Sequence, residues 1–174
     1  MEDNKIAKYS KGTIAIHWIS ALLIIGLFPL GKYMSDIPVS EKIILIRIHS
    51  ALGFLVFLLT IVRSILFFKA KRPEHLNTGT KFNDTLAIAV QRSFYFLLLA
   101  IGISGSAVMI LGGYADALMS TTALPDLILP REEIAPLQAH NILAILMMLL
   151  IVMHIIGVIR FNIKHKTNTI KRIS

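Results

Sequence analysis

The chain has 174 residues, 55% of them hydrophobic, with a mean hydropathy of +0.72 and a formal net charge of +8. That apolar share exceeds the roughly 45–50% of an ordinary soluble domain and marks a membrane protein. Cysteine is absent, which excludes disulfides, thiolate metal sites, iron–sulfur clusters and covalent c-type haem. The basic residues flank apolar runs instead of forming a stripe interleaved with aromatics, so they read as topology signals and not as a nucleic-acid surface.

Residues 1–12 are polar and lead into an apolar run with no small-residue cleavage site, and are expected to stay on the mature protein. A helix needs about 20 mostly apolar residues to cross the hydrocarbon core. Four segments qualify, at about 13–30, 43–68, 85–111 and 134–161, which makes 1–174 a single transmembrane domain. The intervening loops carry the helix breakers Pro38, Pro73, Pro125 and Pro130.

Lys and Arg near span ends stay cytoplasmic. One side carries Lys5, Lys8, Lys11, Lys69, Lys71, Arg72, Lys81, Arg160, Lys164, Lys166, Lys171 and Arg172; the other carries Lys32, Lys42 and Arg131. Twelve against three predicts an all-α membrane protein, an up-down bundle of four transmembrane helices with both termini cytoplasmic.

An ionisable group inside a span is costly and is a functional hypothesis by default. All ten Asp and Glu lie in tails, loops or span edges. This argues against an inward Glu-x-x-His di-iron site and against an acidic proton relay. Four of the six histidines, His17, His49, His140 and His154, fall inside spans, whereas His75 and His165 lie in basic segments and read as solvated. His140 and His154 are two heptads apart, so they share one face of the fourth span about 21 Å apart. Because the first span runs outward and the second inward, His17 falls at the depth of His154, and His49 at that of His140.

Four separate core histidines, each hydrogen-bonded across helices, would be the plain account, but burying polar rings without a partner costs free energy. A structural zinc site takes four ligands and each pair offers two. Haem needs two at most, because the porphyrin supplies the rest. The pattern therefore predicts two non-covalent haem b groups with axial pairs His17/His154 and His49/His140. Arg47, just before His49, is expected to pair with propionates of the outer haem, and Arg63 and Arg160, near the inner surface, either serve the inner one or snorkel to the interface. The glycines and serines after His49 and in the third span leave gaps that suit a macrocycle, or close helix packing.

These residues resemble the bacterial cytochrome b561 family, relatives of the cytochrome b subunits of hydrogenases. The matching stretches are "KYSKGTIAIHW", "IRIHSALG", "IVR" with Pro73 after it, "FYFLLLAIGISG", "QAHNILA", "MH" and the "NTIKR" tail. The resemblance implies a diheme b-type cytochrome of the bacterial inner membrane, an oxidoreductase whose membrane partner is ubiquinone or another quinone. It also implies a periplasmic one-electron partner, superoxide in some members. Relatives often have a histidine where this chain has Gln91, and some have another after His154, where it has Arg160 and Phe161.

For a superoxide anion, Lys32, Lys42, Arg47 and Arg131 would form an outer basic funnel. Lys71, Arg72 and Tyr9 are candidate quinone contacts at the inner interface. Two other functions compete: an anchor subunit passing electrons from a dehydrogenase or hydrogenase, and a haem-free metal transporter or structural bundle.

Overall fold

The computed structural model describes residues 8–69, 78–119, 130 and 133–173. Its α-helices are α1 (Lys11–Ser35), α2 (Val39–Lys69), α3 (Lys81–Leu111), α4 (Tyr114–Met119) and α5 (Ala135–His165), followed by a 3-10 turn over Thr169–Arg172. Among the described residues there is no strand. Helices α1, α2, α3 and α5 are each long and apolar enough to cross a membrane. They form an all-α four-helix bundle, and α4 is an additional short helix after α3.

The helices run past the apolar segments because polar residues begin and end them. Ser10 caps α1 by accepting from the Thr13 N–H at 3.3 Å. Thr80 caps α3 through the Asn83 N–H, and the Asp84 carboxylate accepts both the N–H and the hydroxyl of Thr78 at 2.8 Å. A side-chain oxygen at such a position satisfies one of the four unpaired N–H groups of a helix start. Pro29 lies inside α1, yet the helix continues to Ser35, because proline removes a single N–H donor and spanning helices tolerate it. Helix α5 ends where Lys166 takes the left-handed conformation (φ 49°) and its N–H closes on the Asn162 carbonyl.

Helix α1 packs on α2, α2 on α3, and α3 on α5, whereas α1 and α5 share little contact. The bundle is thus an open arc with a gap facing α5. Leu22 and Phe96 point outward, as lipid-facing side chains do. Lipid tails are as apolar as leucine, so close packing and polar ties hold such a bundle more than apolar burial does.

Each end of the bundle has such ties. At the end carrying the α1–α2 corner, Gly113 turns the chain from α3 into α4 with φ 75°. Gly112 leaves no room for a Cβ against the Val108 carbonyl and the Tyr114 and Ile134 side chains. Tyr114 and Ile134 are buried with Ile46, and Met34, Val108, Met109 and Leu137 pack around them, forming an apolar plug at this end. At the other end, the Tyr9 N–H donates to the Arg172 carbonyl (3.1 Å) and the Trp18 indole to that of Ile173 (2.8 Å). Asn162 accepts both the N–H and the hydroxyl of Thr169, which folds the tail back under α1.

Candidate functional site

Two polar levels lie along the gap, one beneath the corner plug and one near the chain termini. At the corner level His49 on α2 faces His140 on α5, with ring centres 6.3 Å apart and planes at 73°. Small residues allow this approach. A Cβ on Gly31 would stand 3.3 Å from His49 Cε1, and one on Gly105 would stand 3.1 Å from His140 Cε1. A Cβ on Gly102 would overlap the Phe57 ring.

Hydrogen bonding separates the two rings. His140 Nδ1 lies 3.2 Å from the Ile101 carbonyl and 3.1 Å from Ser104 Oγ. A carbonyl only accepts, so Nδ1 carries the proton and Nε2 keeps its lone pair for a metal. His49 Nδ1 is buried with no hydrogen-bond partner. Buried polar atoms are nearly always satisfied, so His49 is not held here as a cross-helix hydrogen-bonding residue. The rings open onto a cavity of about 630 Å³ that all four long helices line. Its size is ordinary for a cofactor pocket, typically about 300–1,000 Å³.

Two imidazole nitrogens bound to one metal at about 2.0–2.1 Å leave ring centres roughly 6 Å apart, so the spacing of His49 and His140 fits a shared ion. Two ligands are too few for a closed zinc site and sufficient for a haem iron. The cavity, the clearance at Gly31 and Gly105 and the oriented His140 therefore fit haem.

The terminal level is built differently. Arg63 Nη1 lies 3.3 Å from His17 Nδ1, and since guanidinium only donates, His17 accepts there. Arg63 also lies 5.8 Å from the Tyr95 ring centre, and Tyr95 leans on Phe67. His154 is exposed, with its ring edge-on to Phe94 at 5.4 Å. It is close enough to His17 and Arg63 for electrostatic interaction. No ring contact joins His17 and His154 among the described residues. Ser20 Oγ and Arg63 Nε are buried at this end without partners, so polar groups remain unsatisfied around the pair.

The other singled-out residues are placed as follows. Arg47 is exposed and absent from the cavity wall, because two residues along a helix turn it about 200° from His49. Lys32 and Lys42 line the cavity instead. His165 is not merely solvated: its ring stacks on Phe161 at 4.4 Å and its Nε2 is buried without a partner. Tyr9 packs against Arg172, 5.9 Å from the guanidinium. Lys71, Arg72, His75 and Arg131 lie outside the described residues.

Sequence reasoning missed the Tyr114–Ile134 plug, the Trp18–Ile173 bond and the Ile101 carbonyl behind His140. An aromatic directly after the Gly112–Gly113 turn was the available signal for the plug.

The chain is 25% identical over 174 residues to "Cytochrome b561 homolog 2" of Escherichia coli (strain K12), covering 98% of this chain and 93% of that protein. The model of the family described as "Prokaryotic cytochrome b561" matches residues 8–174. With four membrane-spanning helices and His49 facing His140 across two of them, the chain belongs to the prokaryotic cytochrome b561 family, multi-pass bacterial membrane b-type cytochromes that bind haem and transfer electrons.

Proposed function

We propose that this chain is a diheme cytochrome of the inner membrane that moves single electrons between the quinone pool and a periplasmic one-electron partner. His49 and His140 hold one haem b, and His17 and His154 hold the other. The observation that carries the reading is the approach of His49 and His140 across a cavity bounded by glycine. Haem b held by these histidines would supply reversible one-electron storage.

The chain's residues supply position and environment. The Ile101 carbonyl fixes the ring orientation and tautomer of His140 and raises its basicity as a ligand. The apolar plug of Ile46, Tyr114 and Ile134 borders the corner level. Arg63, next to His17, supplies a cation for an acidic group at the terminal level. The two levels are about 21 Å apart along α5, from the separation of His140 and His154.

Both termini are cytoplasmic in this reading, which the distribution of Lys and Arg supports. The corner level then faces the periplasm, and an anion is the partner its wall favours, because Lys32 and Lys42 line it. Superoxide is such an anion. Purified protein given ubiquinone should consume superoxide faster than uncatalysed dismutation, and quinol should reduce the b-type chromophore. A rate no greater than dismutation would remove superoxide as substrate, and failure of quinol to reduce the chromophore would remove quinone as the partner.

A further inference from the structure

Helices α1 and α5 carry His17 and His154 but share little contact of their own. The chain that follows α5 joins them at the terminal end. Lys166 turns it out of the helix, and the Asn162 side chain, about two turns beyond His154, roots it by accepting the N–H and the hydroxyl of Thr169 at 3.0 and 2.8 Å. Asn168 then accepts the Ile170 N–H at 3.1 Å, and the Ile173 N–H closes on the Ile170 carbonyl at 2.9 Å. Residues 167–173 are thereby knit into one compact turn.

That turn meets the first helix at two places. The Arg172 carbonyl accepts the Tyr9 N–H just ahead of α1, where the Arg172 guanidinium also lies 5.9 Å from the Tyr9 ring centre, and the Ile173 carbonyl accepts the Trp18 indole. An interfacial tryptophan ordinarily spends its N–H on water and headgroups. Trp18 is 43% exposed, yet its N–H is given to the tail. Neighbours on a helix differ by about 100° in direction, so pinning the indole also sets the direction of His17. The two rings stand edge-on with centres 5.3 Å apart, and Arg63 bonds the imidazole from α2.

We propose that residues 167–173 form a strap that ties α1 to α5 and so positions His17 for the terminal centre. The inference rests on the diheme reading. Trp18 and Asn162 are the two fastenings, one on each helix. Both are positioning residues, acting through the setting of α1. The corner pair sits on α2 and α5, about 21 Å further along the bundle, and lies beyond the reach of the strap.

The test follows transfer of haem b from the purified protein to a haem acceptor, together with the midpoints of both centres. Trp18→Phe keeps an aromatic ring and removes the N–H, Asn162→Ala removes the acceptor for Thr169, and Asn162→Asp keeps it. Each of the first two should release one haem on the order of fivefold faster, the factor equivalent to a typical hydrogen bond. That centre's midpoint should shift too, and it should be the centre that His17→Ala lacks. The other centre should be unchanged, and Asn162→Asp should resemble wild type. Because both fastenings act on one strap, Trp18→Phe with Asn162→Ala should release haem little faster than the faster single variant. Unchanged release in both single variants, equal loosening of the two centres, or a fully additive double variant would overturn the inference. Should Asn162→Ala fail to assemble, Trp18→Phe decides by its release rate and midpoints. Wild type with fewer than two haems would overturn the diheme reading and this inference with it, whereas two haems that ignore the strap would overturn the inference alone.

Discussion

The two histidine levels are opposites in how far the chain completes them. At the corner level the rings already stand 6.3 Å apart, the Ile101 carbonyl holds His140, glycines flank both rings and an apolar plug closes the end. At the terminal level His154 is exposed and Arg63 donates to His17 Nδ1. A neutral His17 accepting at Nδ1 carries its proton on Nε2 and cannot ligate through that nitrogen. If His17 ligates a haem as proposed, Arg63 would have to release it and the ring would have to change tautomer. The chain alone brings the rings of one level together and leaves those of the other without a ring contact.

That contrast can be broken from either side. The largest effect is expected from Gly105→Val, whose side chain would enter the His140 ring and remove the corner centre while the terminal one persists. Overpacking of this kind costs about 1–3 kcal/mol, and haem content measured with thermal stability would show both effects. Next is Arg63→Gln, which removes the cation beside His17. The terminal midpoint should fall and the corner midpoint should stay, as redox titration would show.

Ser104→Ala should act more mildly. His140 keeps the Ile101 carbonyl and loses one hydroxyl contact, a change of about 1 kcal/mol visible as easier loss of the corner centre to a haem acceptor. Arg47→Ala should be the smallest, leaving both midpoints unchanged, because Arg47 is outside the cavity wall. A fall in the corner midpoint in that variant would place Arg47 in the site.

Much of this arrangement was legible in the sequence. The four spans follow from apolar length, and the approach of His49 to His140 follows from span direction and depth. Helix ends were read short because Ser10, Thr80 and Asp84 are polar yet cap or begin helices. Arg47 and Lys42 show what helical phase adds. Nearness in sequence pointed to Arg47, two residues from His49, whereas the seven-residue interval puts Lys42 on the histidine's face. The plug and the tail were not legible, because Tyr114 meets Ile46 and Trp18 meets Ile173 only after the spans assemble.

The central claim is two haem sites at two depths, each built on its own histidine pair. Haem b counted per polypeptide in wild type, His140→Ala and His17→Ala tests it most directly. The account predicts two, one and one, with the surviving centre differing in midpoint between the two variants. A wild-type count of one, or loss of the same centre in both variants, would contradict it.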